Sequence, residues 1–420
     1  MILGLMKGST ERIVITGRGV LAGSLHSVQE VWSRTLSEER VSGDLPDDPS
    51  LASLAGLPAG DALILARHQL LALAAVEAAW RDAGLPADRN RIRGEGEKTR
   101  HPRYGCVSGS SLGGLAAMEE ETSAPGYRPT PYALSRWRGN AVGAVTTLRY
   151  GLGAPDFSLN SASATGAQAL FLAATMIRTG LADLVVAVAS DGPLPPRLAG
   201  TMRRNGSVAR DGSSAPLSAG RSGMHPSCGA ACLILESASH AAARGARPVA
   251  EWIGGSCMNE ARHLMAPEDS GGVAGEAIGD LLHRSGLQPG GIDWISLHAT
   301  GTTRFDRAEI LGLGKVFAGG LPWISAFKRV TGHALGASGL IEAALLAEGL
   351  SVGTVPPWPS GIDASFGIPD RKSSTAPRPR TALQLAQGMG GTIVLNLLGA
   401  VGQEAVLEDG RGSDFRTTPA

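Results

Sequence analysis

Three short stretches hold side chains whose types and spacing could do chemistry. In "SLNSASATGAQALFLAATMIRTG" (158–180), Ser163 stands where a strand-like end turns through small residues into a long apolar helix. A helix start carries N–H groups without intrahelical partners, and its dipole favours negative charge. A serine there can be a nucleophile if a neighbouring base takes its proton. Ser163 or Ser161 can equally be an N-cap, a position that serine favours. In "SLHATGTTRFDRAE" (296–309), His298 ends an apolar strand beside a Thr/Gly turn, well placed to reach a pocket. In "SAFKRVTGHALGASGLIEAALLAEGL" (325–350), Lys328 and His333 lie in a Gly-punctuated loop before another long apolar helix. Taken singly, each histidine reads as well as a backbone-bonded structural residue, and Lys328 as a surface charge.

The elements that must position these residues alternate β-like runs with Ala/Leu helices, the pattern of a layered α/β protein. "RIVITG" (12–17) predicts a buried strand ending at Gly17, and "DALILARHQLLALAAVEAAWRDAGL" (61–85) a helix stopping at Gly84. The basic stretch 88–103 reads as a solvated loop, and "YGCVSGSSLGG" (104–114) as a strand entering a Gly/Ser loop. The helix from about Ala164 to Thr179 is apolar almost all round, so it and its start should be buried. There is a faint internal echo. "AAWRDAGL" (78–85) precedes "YGCVSGSSLGG" as "DLLHRSGL" (280–287) precedes "DWISLHATGTT" (293–303), a weak sign of a duplicated unit. The tail 408–420 lacks apolar periodicity and is expected to fray.

Composition narrows the classes. The 420 residues carry 38 basic and 38 acidic side chains, which gives no general attraction to nucleic acid or anionic membrane. No uninterrupted apolar run reaches the roughly 18 residues of a membrane span. The chain start shows no cleavage-site pattern. Cys106, Cys228, Cys232 and Cys257 form no zinc-type pairs, so a reduced, cytoplasmic protein without a metal is expected.

Together the three stretches resemble the β-ketoacyl synthases, the condensing enzymes of fatty-acid and polyketide assembly, in their elongating type II branch. "VITGRGV" near the start resembles that family's first strand, and "GNAVGAVTTLRYGLGAPDFSLNSASATGAQAL" (139–170) the segment around its nucleophile. "HLMAPED" (263–269), "HATGTTRFDRAE" (298–309), "KRVTGHALGASG" (328–339) and "NLLGAVGQEAVL" (396–407) follow in family order. The resemblance implies a thiolase-like α/β fold in five layers, α-β-α-β-α, built of two similar halves. Residues 1–250 would carry the nucleophile, 251–410 the histidines, and 411–420 a flexible tail. It implies a homodimer in which the strand before Ser163 pairs with its two-fold mate, or a heterodimer with another ketosynthase-like subunit. It also implies a carrier-protein partner, whose phosphopantetheine arm delivers the substrate; no resident cofactor is expected.

Residue by residue, Ser163 matches the family's nucleophilic cysteine, His298 and His333 its two histidines, and Lys328 the lysine before the second. Thr300 and Thr302 match threonines that contact the pantetheine arm. The oxyanion hole would be the N–H groups of Ser163 and Ala400, with "Gly399-Ala400-Val401-Gly402" standing for the family's Gly-Phe-Gly-Gly turn. "Ser227-Cys228-Gly229-Ala230" stands for its Gly-Glu-Gly-Ala segment. A serine hydroxyl is far less acidic than a thiol, so a histidine must act as its base in a Ser-His-His arrangement. An acyl-serine is an oxyester, a poor electrophile for carbon–carbon bond formation. The leading expectation is therefore acyl transfer, cyclisation or hydrolysis in polyketide or antibiotic biosynthesis. The alternatives are an ordinary decarboxylative ketosynthase, including one with an engineered Cys-to-Ser change, and a non-catalytic subunit like a chain-length factor.

Overall fold

A computed structural model describes residues 11–41, 45–93, 98–123, 125–209, 215–371 and 374–402. The tail expected to fray and the segment 411–420 lie outside the described residues. The strands are β1 (Ile13–Ala22), β2 (Tyr104–Gly109), β3 (Asp156–Leu159), β4 (Leu184–Asp191), β5 (Gly229–Ser237), β6 (Ala250–Asn259), β7 (Trp294–Ser296), β8 (Trp323–Ser325), β9 (Thr381–Gly388) and β10 (Thr392–Gly399). The principal helices are α1 (Arg67–Asp82), α2 (Ala141–Tyr150), α3 (Thr165–Arg178), α4 (Gly272–Arg284), α5 (Thr303–Val316) and α6 (Ser338–Val352).

The strands form two groups, in the orders β3-β2-β4-β5-β1 and β8-β7-β9-β10-β6, joined where β1 and β6 pair antiparallel. The groups match position by position. β2 and β7 each pair in parallel with both neighbours, while β5 and β10 pair antiparallel with theirs. The chain is thus two similar halves. The echo marks equivalent places, α1 leading to β2 and α4 leading to β7. α1 and α2 pack on strands of the first half, and α4, itself packed on α5, covers β6 and β10. Between the halves lie α3 and α6, each touching strands of both. That sandwiching completes five layers, and it explains why neither inner helix has a polar face. α6 with its lead-in, Leu335–Val352, is long and apolar enough to cross a membrane, yet 89% of it is buried in the protein.

Local departures from expectation have packing causes. β1 continues past Gly17 because Gly17 and Gly19 lie under α1: an added Cβ would stand 2.1 Å from Ala79 O and 2.0 Å from Ala75 O. The helix expected over 61–85 begins only at Arg67, because Ala66 is extended and its N–H is taken by the Gln69 side chain at 2.9 Å. Part of the basic stretch is not solvated, since Arg89 Nε donates to Glu77 Oε2 at 2.9 Å with both side chains 7% exposed.

α3 and α6 meet at glycines. An added Cβ at Gly339 would fall 2.4 Å from Ala167 N, and one at Gly166 2.7 Å from Gly336 O. Replacing an exposed helical glycine by alanine ordinarily gains about 0.5–1 kcal/mol. Gly279 in α4, with open space beside it, should follow that rule. Gly339→Ala should reverse the sign and lose about 1–3 kcal/mol, because the obstructing atom is backbone. Urea denaturation of the two variants checks this, and a stabilising Gly339→Ala would contradict the close crossing.

Candidate active site

Ser163 lies in a 3-10 turn, Ala162–Ala164, between β3 and α3, with Ala162 in the left-handed region at φ 51°. Thr165 braces the turn: its Oγ1 accepts from Ser161 N–H at 2.9 Å and donates to Ala162 O at 2.6 Å. Neither Ser161 nor Ser163 caps a helix with its side chain. Among the described residues the N–H and hydroxyl of Ser163 have no hydrogen-bond partner. Serine is therefore held at the turn without a capping job, half-buried and chemically free.

The second half repeats the construction. After β8, a 3-10 turn at Leu335–Ala337 leads into α6, and Leu335 takes φ 48°. His333 stands just before it. Its backbone is clamped against the segment before β5, donating to His225 O at 2.8 Å and accepting from Ser227 N–H at 3.0 Å. Ser227, one of the residues that depart from the family's Gly-Glu-Gly-Ala pattern, thus braces this histidine through its backbone N–H. The two 3-10 turns touch, so the crossing of α3 and α6 brings Ser163 against the His333 loop.

Hydrogen bonding gives the histidines different states. His333 Nδ1 accepts from Leu335 N–H at 3.1 Å and lies 3.1 Å from Ser338 Oγ. An N–H can only donate, so the neutral ring carries its proton on Nε2, assigned from this partner. His298 lies beside it with ring centroids 6.0 Å apart and planes at 88°. Its Nδ1 is buried without a hydrogen-bond partner among the described residues. Burial holds both imidazoles well below the usual histidine range, with Lys328 adding to the shift and His333 adding to that of His298. Both rings are neutral at pH 7. One is fixed as an Nε2–H donor, and the other is free to settle in either tautomer.

Lys328 is not a surface charge. Buried, its Nζ donates to His298 O at 2.7 Å and to Glu342 Oε1 at 2.5 Å. Glu309 accepts from the N–H groups of His298 (2.5 Å) and Ala299 (2.8 Å), and burial pushes its carboxyl up to about 8 against the pull of these donors. Ala299, at φ 31°, is held in an unfavourable conformation by this clamp. Thr300 and Thr302 follow at once, their hydroxyls 2.9 Å apart. Glu309 and Glu342 escaped the sequence reading, although two acids, Glu342 and Glu348, in the apolar run "SGLIEAALLAEG" were a usable signal. Among the described residues, no group of three or more His, Cys, Asp or Glu could hold a metal ion.

Ala400 does not belong here. Its N–H is spent on Arg380 O at 2.9 Å, and it follows Gly399, which pairs with Thr381 at the far end of the β9–β10 hairpin. Eight strand residues, about 26 Å, separate it from the turn at the other end. That other turn, Gly388-Met389-Gly390-Gly391, abuts the Ser163 turn: an added Cβ at Gly388 would stand 2.2 Å from Ser161 O. Gly390 and Gly391 take φ 93° and 83°, which explains the glycines. Met389 N–H has no hydrogen-bond partner among the described residues. The glycine turn beside Ser163 is therefore 388–391, and Met389 replaces Ala400 as the second N–H donor candidate.

Similarity to known proteins extends over most of the chain. The description "Beta-ketoacyl synthase, N-terminal domain" matches residues 51–241, and "Beta-ketoacyl synthase, C-terminal domain" matches 250–361. Nodulation protein E of Rhizobium sp. (strain N33) is 30% identical over 369 residues, 82% of this chain and 88% of the relative. A 3-oxoacyl-[acyl-carrier-protein] synthase 2 of Coxiella burnetii is 26% identical over 417 residues, 91% of this chain and 96% of the relative. Among solved structures, a type II PKS ketosynthase in complex with its acyl-carrier protein superimposes with a TM-score of 0.78 at 24% identity, over 94% of this chain and 100% of that one. The ishigamide ketosynthase/chain length factor gives 0.77 at 23%, with the same coverage.

The reassigned turn makes a direct test. Met389→Phe should slow loading of long or branched acyl thioesters onto Ser163 severalfold by adding bulk beside the nucleophile, while Ala400→Phe should stay within twofold of the native rate. Intact-protein mass spectrometry follows both, and the opposite ranking would restore Ala400 to the site.

Proposed function

Because the chain belongs to the β-ketoacyl synthase family, we propose that it takes an acyl group from a carrier-protein thioester onto Ser163 and passes it on by acyl transfer, cyclisation or hydrolysis rather than by ordinary elongation. The observation that carries this reading is the unpartnered Ser163 hydroxyl in a turn that touches a loop holding one of two neutral, buried histidines. In the first step His298 accepts the hydroxyl proton as Ser163 Oγ attacks the thioester carbon. The carbonyl oxygen gains negative charge, and the N–H groups of Ser163 and Met389 stabilise it. As the carbonyl re-forms, the carbon–sulfur bond breaks, and the pantetheine thiolate leaves with the proton that His298 holds. An oxygen, nitrogen or water acceptor then gives its proton to the same base and attacks the acyl-serine. The bond from the acyl carbon to Ser163 Oγ breaks, and the serine oxygen takes the proton back from His298.

His333, as an Nε2–H donor, polarises the carbonyl oxygen of the incoming thioester. Burial keeps His298 neutral, the field of Lys328 adds to this, and Lys328 holds that segment through the His298 carbonyl. Thr300 and Thr302 hold the phosphopantetheine arm, so substrate arrives on a carrier protein and no resident cofactor takes part. The ketosynthase solved with its acyl-carrier protein supports this partner class. The exposed edge of β3 supports a dimer by strand pairing, with a second copy or with a ketosynthase-like subunit like those of the chain-length-factor pairs. A cytoplasmic setting in polyketide or antibiotic biosynthesis fits this chemistry.

A second reading, decarboxylative condensation, is favoured by one observation: both histidines, Lys328 and their acidic partners are present as a complete set. The same set speaks against a purely non-catalytic subunit. One assay separates the readings by following adduct mass, carbon dioxide release and product in the Ser163 protein and in its Ser163→Cys and Ser163→Ala variants. Acyl transfer predicts that Ser163→Ala loses adduct and product. It also predicts that Ser163→Cys loads at least tenfold faster, through its more acidic thiol, yet loses the native product. Restored condensation in Ser163→Cys, with a nearly dead serine form, would sink acyl transfer and favour an engineered or vestigial serine.

A further inference from the structure

Asp191 ends β4 and is 1% exposed. Each of its carboxylate oxygens accepts twice. Oδ1 takes Ser110 Oγ at 2.7 Å and Leu112 N–H at 3.0 Å; Oδ2 takes Ser111 N–H at 2.9 Å and Gly336 N–H at 2.8 Å. Ser110 Oγ in turn accepts from Gly113 N–H at 2.8 Å. One buried side chain therefore joins the loop after β2 to the loop that carries His333. The junction is tight, since an added Cβ at Gly336 would lie 2.7 Å from Ser111 N, 2.8 Å from Asp191 Oδ2 and 3.2 Å from Thr165 Cβ. Thr165 is the residue that braces the Ser163 turn. Adjacent to Gly336 is Leu335, whose N–H fixes the tautomer of His333 and whose φ of 48° a leucine does not adopt without restraint.

We infer that Asp191 is a positioning residue for His333: by anchoring Gly336 it holds Leu335 N–H on Nδ1 and so keeps the ring's proton on Nε2, facing the reacting oxygen. No other side chain of this size offers acceptors alone on two oxygens. An asparagine would turn an NH2 group toward two of the four donors. The kinetic consequence rests on the proposed acyl chemistry, whereas the tautomer does not.

The test uses the full chain labelled with 15N-histidine, with His333→Gln identifying the His333 signals. At pH 7 the native protein should show a pyridine-like Nδ1 and a protonated Nε2 at His333. Asp191→Asn should populate the other tautomer or average the two. Ser110→Ala, which removes one donor and leaves the Gly336 bond, should shift the same signals less, in the same direction, and decides the matter alone if Asp191→Asn does not fold. Alongside, carbon dioxide release from a malonyl-pantetheine thioester should fall at least tenfold in kcat for Asp191→Asn, with KM within threefold. Unchanged His333 signals in the folded variants overturn the inference whatever the activity. A native protein that neither takes up acyl groups nor releases carbon dioxide overturns the functional reading and leaves the tautomer result to judge Asp191.

Discussion

The arrangement of the whole site depends on how closely two buried helices can approach. α3 and α6 cross at Gly166 and Gly339, where a single methyl group on either would meet backbone. Ridges of larger side chains keep packed helices about 8–10 Å apart, and small residues let the backbones come nearer. Both helices begin in a 3-10 turn entered through a residue at positive φ, Ala162 in one half and Leu335 in the other. Bringing the crossing close therefore brings the two helix starts together. The Ser163 turn and the His333 loop are equivalent places in a duplicated fold, set face to face by the duplication itself.

The two equivalent places have been given unlike chemistry. In the first half the turn carries, at Ser163, a hydroxyl and one N–H without partners among the described residues, the latter open to a developing oxyanion. In the second half a histidine precedes the turn, and its Nδ1 draws on the turn's own N–H. Because the surroundings are water-poor, protonating either ring is costly, and the cation that holds the His298 segment, Lys328, is itself paired with Glu342. Neutral histidines are what a serine nucleophile needs, since a protonated ring could not take its proton. The same neutrality suits a donor to carbonyl oxygen. The field of Lys328 thus serves serine chemistry as readily as thiol chemistry.

Much of this was legible in the sequence where a physical signal was strong and local. Two largely apolar helices, each preceded by a Gly/Ser-rich turn, announced buried helix starts, and the paired helix-strand echoes marked the duplication that the strand orders display. Partners distant in sequence were not legible. Glu309 and Glu342 look like ordinary helical acids until the fold delivers two backbone N–H groups to one and Lys328 Nζ to the other. Arg89 reads as a loop charge because nothing nearby announces Glu77. Sequence placed the family's glycine turn at 399–402, and the structure moves it to 388–391. Both bound the same strand and both contain glycine, but only the end that abuts Ser161 can serve the nucleophile, and strand register decides which end that is.

The central claim is that Ser163 itself carries the acyl group. Incubating the unaltered chain with a medium-chain acyl thioester of a phosphopantetheinylated carrier protein, then measuring intact mass and mapping peptides, tests it most directly. The account predicts a mass gain equal to the acyl group, located on the peptide containing Ser163 and lost when acceptor is added. Product formation with no adduct at Ser163, or an adduct confined to another residue, would contradict it.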